Sequence, residues 1–453
     1  MALKKKPTTG MRDILPAEME IREYVLAMIR QTYASYGFTQ IETPCVEPIG
    51  NLTGGHGGEN EKLIFKILKR GEKLRIDEAH EETDLVDGGL RFDLTVPLVR
   101  YFANNSASLP SPFKAMQLGN VWRADRPQRG RFRQFMQCDI DVLGEASNIA
   151  EIELILAMTT LLGKLDFNRF TIRINDRRIL KGIAKFCGFP DESYDDVFII
   201  LDKMDKIGID GVREELMDAG YAAEAVDRCI GIFGDGIVKS GIGDGPADTS
   251  ESESMPADKS EPTGQKDCGY VPGAVGLDRL RSLASVLGDS LEEDVARNLE
   301  EIISVVDETR SAEFRILFDP TLVRGMSYYT GPIFEIAMDE YGGSVGGGGR
   351  YDTMVGRFLG TETPAVGFSI GFERIAMLLM ERGYKLPDAP EKVAFLLDKK
   401  CTPSQVKETI AKANELRQGG ATVSVLRMKK NKKFQKDQLT AEGFTDIREV
   451  FND

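Results

Sequence analysis

The 453-residue chain carries 58 Lys and Arg against 72 Asp and Glu, a formal net charge of -14, with 42% hydrophobic and 29% charged residues. That is an ordinary globular composition, and no run of about 18 apolar residues offers a membrane span. The acidic balance disfavours nucleic-acid binding through global charge, yet it leaves room for local cationic sites, because charges separated by more than about 8 Å are largely screened.

The N-terminus, MALKKKPTTG, has three lysines with no apolar segment behind them, so no secretory signal is predicted. From Glu20 to Ala34, Ile21, Val25, Met28, Ile29 and Tyr33 recur near helical spacing, which predicts an amphipathic helix. Gly37 ends it, and FTQIETP follows as a short strand closed by Pro44. The segment 61–70 fits helix or strand. Apolar runs at 89–93, 114–123 and 132–143, separated by Pro and Gly, read as antiparallel strands. A buried helix (147–165), a strand FTIRIN and a helix RRILKGIAKF come next. Between about 180 and 310 the pattern is helical and acidic, broken by a Gly/Ser/Pro/Glu-rich stretch at 235–273. With so few large apolar residues it cannot offset its ordering entropy, and it is predicted to be a flexible loop. Strands resume at FRILFDP, IFEIAM and AVGFSIG, and a helix FERIAMLLMERG closes the region. After the Pro-bearing linker KLPDAPEK, the rhythm VAFLL, helix (about 403–417), ATVSVL predicts a small α/β domain.

At roughly 150 residues per domain, the length predicts about three domains. Six scattered cysteines (Cys45, Cys138, Cys187, Cys229, Cys268, Cys401) form no CxxC pair, which argues against a disulfide framework or structural zinc and fits a reducing, cytoplasmic setting. With only His56 and His80 available, a His-built metal site or a Ser-His-Asp triad is disfavoured.

The cations cluster instead. RADRPQRGRFR, 123–133, holds five arginines in eleven positions, between two strand-like arms. This predicts a long hairpin whose tip is either a solvated loop or a phosphate grip, since a guanidinium fork makes bidentate contacts and stays charged. On the returning arm Gln137, Asp139 and Asp141 alternate and therefore share one face. LVRGMSYYTG places Arg324 at the end of an apolar strand, followed by Tyr328 and Tyr329. GGSVGGGGRYD suits sharp turns or close backbone approach to a ligand, and it matches no P-loop. In PAVGFSIGFERIAMLL the helix opens at Phe372 with Arg374 in its first turn, where the helix dipole disfavours a cation unless an anion is held there. A second basic stretch, RMKKNKKFQK (427–436), reads as a helix that contacts phosphate or as a solvated face.

Together these segments resemble class II aminoacyl-tRNA synthetases: FTQIETPCVEP is similar to motif 1, the arginine hairpin to motif 2 and the Gly-Phe-Glu-Arg helix start to motif 3. LVRGMSYYTG and GGGGRYD resemble the two signatures of the histidyl-tRNA synthetase family, and GLRFDLTVPLVRY (89–101) its histidine-contacting strand. The resemblance covers most of residues 8–180 and 312–385. It implies an α+β fold with an antiparallel catalytic sheet flanked by helices, in two parts (1–175 and 312–385). Between these parts it implies a mostly helical insertion at 176–311, and at 391–453 a shortened anticodon-binding-like α/β domain. It implies a homodimer that activates L-histidine with ATP and Mg²⁺ and transfers it to the 3′ end of tRNA(His). Carried over by position, Arg123 holds the α-phosphate, Arg374 the γ-phosphate and Arg324 the α-phosphate again. Asp125, Arg131 and Phe135 complete the ATP site, with Phe135 on adenine. Asp93, Thr95, Gln137, Asp141, Arg324, Tyr328, Tyr329 and Tyr351 line the histidine pocket. Met136 and Ser327 depart from the family pattern, which commonly has histidine and aspartate there. An alternative on the same fold is the histidine-sensing regulatory subunit of ATP phosphoribosyltransferase, which does not aminoacylate.

Overall fold

The computed structural model describes residues 4–53, 60–234, 272–323, 328–387 and 389–452. The chain divides into two compact units, one made of residues 1–13 and 25–378, the other of 14–24 and 379–453.

Among the described residues, the first unit is built on a nine-stranded sheet, with a small antiparallel sheet beside it. The strands in chain order are β1 (Thr39–Ile41), β2 (Val46–Pro48), β3 (Lys66–Leu68), β4 (Val86–Leu90), β5 (Phe113–Trp122), β6 (Gln134–Leu143), β7 (Phe170–Asp176), β8 (Gly273–Val275), β9 (Phe314–Phe318), β10 (Pro332–Met338), β11 (Gly343–Arg350) and β12 (Ala365–Ile370). The large sheet runs β1-β5-β6-β12-β11-β10-β7-β9-β8, and the small one β2-β4-β3. The large sheet is antiparallel from β5 to β7 and parallel at its edges, where β1 pairs with β5 and β9 pairs with both β7 and β8. The expected antiparallel sheet is therefore its centre. Among the described residues, the regular elements between Arg177 and Ser311 are helices apart from β8, which joins the sheet edge. Residues 235–271 of the expected flexible loop lie outside the described residues, and Gly273 already belongs to β8.

Helix burial follows the sequence periodicity. In the helix Pro16–Ser35, Val25, Ile29 and Tyr33 recur every four residues and are completely buried. The helix Ile149–Lys164 buries Leu154, Ile155, Met158, Leu161 and Leu162 completely, around most of its girth. It packs against both β12 and the helix Glu293–Thr309, so it is an inner helix rather than an amphipathic one.

Three local readings change. GSVGGGGR (343–350) is a strand, not a turn: β11 pairs with β10 over most of its length and with β12 from Gly346 to Arg350, so its glycines thin the sheet floor. The strand expected at 89–93 stops at Leu90, and a helix starts at Thr95. Arg91 turns its guanidinium inward onto the carbonyls of Thr43 (2.8 Å) and Asn120 (2.9 Å), while Asp93 Oδ1 accepts the Val96 N–H at 3.1 Å. Pro97 fits a first helical turn, whose N–H groups have no intrahelical acceptor. Finally, Arg427 ends a strand, and the basic helix begins only at Lys432, capped by Asn431, whose side chain accepts the Phe434 N–H at 3.1 Å.

The second unit holds a parallel sheet of β13 (Lys392–Leu397), β14 (Thr422–Arg427) and β15 (Asp446–Val450), in the order β14-β13-β15. Val393, Phe395 and Leu397 pack on one face with Ala413 of the helix Pro403–Gln418. Ala394 and Leu396 pack on the other with Leu439 of the helix Lys432–Ala441. Both faces being covered explains why VAFLL is apolar without alternation. Lys432 and Lys436 both pair with Glu449, so part of the basic stretch is neutralised internally, while Lys429, Lys430 and Lys433 stay exposed.

Candidate active site

A cleft of about 480 Å³ opens over the face of β6, β12 and β11. Its volume lies in the range of small-ligand sites. The β6 alternation sets Gln137, Asp139 and Asp141 on the cleft face, and the register places Ser369 opposite Asp139 and Gly367 opposite Asp141. A Cβ on Gly367 would collide with the Asp141 carboxylate, and one on Gly348 would collide with the Gly367 carbonyl. The two glycines let a polar side chain and a backbone occupy space that any larger residue would fill.

One end of the cleft is cationic. Arg123 follows β5 and is fixed by its Nε donating to the Phe92 carbonyl (2.8 Å), with its guanidinium 5.2 Å from the Phe135 ring. Arg374, in the first turn of the helix Phe372–Glu381, donates to the Ser344 carbonyl at 2.5 Å and lies 5.3 Å from the Tyr341 ring. It is therefore turned back over β11, not out to solvent. Arg131 and Asp125 line the same end, and the Asp125 carbonyl accepts from Arg133 Nε at 3.1 Å. The hairpin is anchored from the N-terminus as well: Arg133 N donates to the Gly10 carbonyl (2.8 Å), and Arg12 packs on Phe132 at 4.5 Å and pairs with Glu373 at 3.3 Å. Glu373 also accepts the Met136 N–H at 3.1 Å, a backbone contact that does not depend on the side chain at this position.

The other end is a buried acid–phenol cluster. Tyr351 donates to Asp141 Oδ1 at 2.6 Å, with both side chains buried, and Tyr328 donates to Tyr329 at 3.3 Å. Asp93 and Thr95 reach the cleft from the N-terminus of the helix Thr95–Asn105, not from a strand. Burial pushes the Asp93 and Asp141 carboxyls above the ordinary carboxylate range, and for Asp141 the charge of Asp139 adds to it. Desolvation raises Tyr328 to about 12 and Tyr351 well above the usual phenol, which keeps both as O–H donors at neutral pH.

Of the expected site residues, Asp93, Thr95, Arg123, Asp125, Arg131, Phe135, Gln137, Asp141, Tyr328, Tyr329, Tyr351 and Arg374 all line this one cleft. Arg324 and Ser327 lie outside the described residues. The expected set left out Asp139, Ser369 and Glu373. Alternation carried a signal for the first two, since Asp139 shares the Gln137–Asp141 face and Ser369 shares that of Gly367. For Glu373 no local pattern pointed inward.

Asp139 makes this site titrate. Burial raises its carboxyl to about 7, reinforced by Asp93 and opposed by the Ser369 and Gln137 hydrogen bonds and by Arg123. The folded chain therefore holds this proton more tightly than the unfolded one, whose carboxyl sits at 3.8. The corresponding stability is complete below that value and is lost as pH rises through about 7. Asp139→Asn removes this slope, and each pH unit is worth about 1.4 kcal/mol. Urea unfolding of both proteins at pH 4.5 and pH 8 is expected to show the variant gaining on the wild type at the higher pH. A constant difference would contradict it.

The model of the family described as histidyl-tRNA synthetase matches residues 10–227 and 274–375 of this chain. A histidine–tRNA ligase of Leifsonia xyli subsp. xyli is 42% identical over 98% of this chain and 95% of its own length. The crystal structure of histidyl-tRNA synthetase from Nostoc sp. PCC 7120 superposes with a TM-score of 0.73 at 28% identity, covering 98% of this chain and 90% of that one. A structure from Bacillus halodurans C, described as an ATP phosphoribosyltransferase regulatory subunit/histidyl-tRNA synthetase, superposes with a TM-score of 0.72 over both full lengths. Its identity is 17%, so that likeness concerns the fold.

Proposed function

The chain belongs to the histidyl-tRNA synthetase family of class II aminoacyl-tRNA synthetases, and we propose that the cleft over β6, β11 and β12 is where it carries out histidine–tRNA ligation. The enzyme uses ATP to activate L-histidine and charges tRNA(His). In the first step a histidine carboxylate oxygen attacks the α-phosphorus, the bond to the β,γ-bridge breaks, and histidyl-adenylate and pyrophosphate result. In the second, the 3′-terminal adenosine of the tRNA attacks the adenylate carbonyl and AMP leaves.

The carboxylate is already a nucleophile, so the first step needs position and positive charge more than a base. Arg123 and Arg324 hold the α-phosphate and Arg374 the γ-phosphate. Arg131 and Asp125 bound the nucleotide, whose adenine stacks on Phe135. Mg²⁺ enters with the triphosphate as part of the substrate; among the described residues no group of three His, Cys, Asp or Glu side chains is placed to hold an ion. At the other end Asp141, oriented by Tyr351, accepts an imidazole N–H, and Tyr328 and Tyr329 enclose the ring. Asp93 and Thr95 stand over the amino acid's main-chain end. A pocket whose buried acceptors demand donors rejects analogues lacking them by large factors. A homodimer formed partly through the segment 38–48 belongs to the same reading.

The observation that carries the reading is the polarity of the cleft, with guanidinium groups at one end and the Tyr351–Asp141 pair at the other. Histidine-dependent ATP–pyrophosphate exchange tests it. Exchange is expected with histidine and with no other amino acid. Histidine binding without exchange would favour a sensing role over catalysis.

A further inference from the structure

We propose that Tyr341 is a positioning residue for the nucleotide: it holds the tip of the arginine hairpin and the Arg374 guanidinium in one arrangement, so that both meet the β- and γ-phosphates of ATP together. The inference rests on the ligase reading and adds to it a residue of the turn between β10 and β11, which is not among those lining the cleft.

The hairpin tip is a tight turn. Gln128 N donates to the Arg131 carbonyl at 3.1 Å and Arg131 N to the Gln128 carbonyl at 2.9 Å, with Arg129 and Gly130 between them. Gly130 has φ +68°, the left-handed value that a type II turn places at its third residue. The central peptide of such a turn takes no part in closing it. Its carbonyl, on Arg129, accepts from the Tyr341 hydroxyl at 3.3 Å. The fit is close, since a Cβ at Gly130 would lie 2.8 Å from that hydroxyl and 3.4 Å from Arg374 Cγ. Tip, phenol and Arg374 therefore pack on one another, although they come from three separate stretches of chain.

Tyr341 is firmly mounted. Its N–H donates to the Met338 carbonyl at 3.1 Å, and the Gly342 N–H reaches the carbonyls of Met338 (3.1 Å) and Asp339 (3.0 Å), which fixes the turn on the end of the sheet. The ring lies 5.3 Å from the Arg374 guanidinium, whose Nη1 donates to the Ser344 carbonyl at 2.5 Å. A ring attracts a guanidinium through its π face and does not accept the in-plane N–H groups. The packing thus orients the fork and does not compete with a phosphate for it. Arg131, which closes the hairpin turn, lines the cleft together with Arg374. One hydrogen bond to a part-exposed carbonyl and one part-exposed cation–π contact each shift an equilibrium by about a few-fold. That sets where the two cations stand and still lets pyrophosphate leave.

The test measures KM for ATP, pyrophosphate and histidine, kcat, and the inhibition constant of AMP, in pyrophosphate exchange on the wild type, Tyr341→Phe and Tyr341→Leu. Loss of the hydroxyl in Tyr341→Phe is expected to raise the ATP and pyrophosphate KM about three-fold. Loss of the ring as well, in Tyr341→Leu, should raise them about ten-fold. kcat should change less. Histidine KM and AMP inhibition should hold, because AMP lacks the β- and γ-phosphates and Arg123 is fixed separately by the Phe92 carbonyl. Gly130→Ala is expected to raise the ATP KM in the wild type, and by a smaller factor in Tyr341→Phe, where the clashing hydroxyl is gone. Both positions are part-exposed turns, so the fold should survive these changes. Equal losses for ATP, AMP and histidine, no loss in Tyr341→Leu, or the same Gly130→Ala factor in both backgrounds would overturn the inference alone. A wild type without histidine-dependent exchange would remove the ligase reading, and this inference with it.

Discussion

Replacing Arg123 by alanine is expected to lower histidine-dependent pyrophosphate exchange by about 10²–10³-fold, or roughly 2.7–4 kcal/mol of transition-state stabilisation. Charge builds on the equatorial oxygens of the attacked phosphorus, and a preorganised cation there acts without reorganising at the moment of reaction. The Nε–Phe92 carbonyl bond and the packing on Phe135 supply that preorganisation. Arg123→Lys should recover little, because an ammonium cannot use the carbonyl anchor and still present a planar fork. The fold should survive, since Arg123 is part-exposed at a strand end and forms no buried ion pair among the described residues. Single-turnover adenylate formation with saturating ATP and histidine separates the chemical step from binding. Near-wild-type turnover in Arg123→Ala would remove this residue from the mechanism.

The largest effect on stability is expected at Glu151. Both of its oxygens hold the Arg350 fork, at 2.6 Å from Nε and 2.7 Å from Nη2, and the two side chains are 1% and 9% exposed. The remaining guanidinium donors reach the carbonyls of Glu145 and Ser147 and the Asp352 carboxylate. Glu151→Ala leaves this guanidinium buried without its main counter-charge, at a cost of about 3–5 kcal/mol. Glu151→Gln keeps the shape and one acceptor, and should cost less. Because Arg350 precedes Tyr351, whose hydroxyl orients Asp141, the loss should also appear as a raised histidine KM. Urea denaturation gives the first number and pyrophosphate exchange the second. A loss below about 1 kcal/mol in Glu151→Ala would mean that water reaches Arg350 and replaces the carboxylate.

Most elements were legible because the periodicity that defines them is local. Alternation in QFMQCDIDVL predicted both the β6 strand and the shared face of Gln137, Asp139 and Asp141. Four-residue recurrence predicted the buried stripe of Val25, Ile29 and Tyr33. GSVGGGGR was not legible as a strand, since glycines carry no alternation, and only β10 and β12 on either side make it one. The helix at Thr95 was hidden in a similar way, behind a β-branched start that the Asp93 side chain stabilises through the Val96 N–H.

The sequence by itself determined the chemistry available: a cluster of arginines in an acidic chain, a row of amide and carboxylates on one strand, and tyrosines beside Arg324. It also carried enough ordered motifs to indicate the family. Only the tertiary structure decided how these groups meet. Tyr351 and Asp141 are 210 residues apart and share a hydrogen bond of 2.6 Å. Glu373 and Met136, 237 residues apart, tie the helix of Arg374 to the strand of Gln137. Whether Asp139 is a surface acid or a buried one near neutrality depends on Ser369, Gln137 and Asp93, which come from different strands and a helix start. The physical reason is one of range. Backbone periodicity is set by neighbours a few residues away, whereas desolvation and hydrogen-bond geometry are set by whichever distant residues the sheet order brings across the cleft.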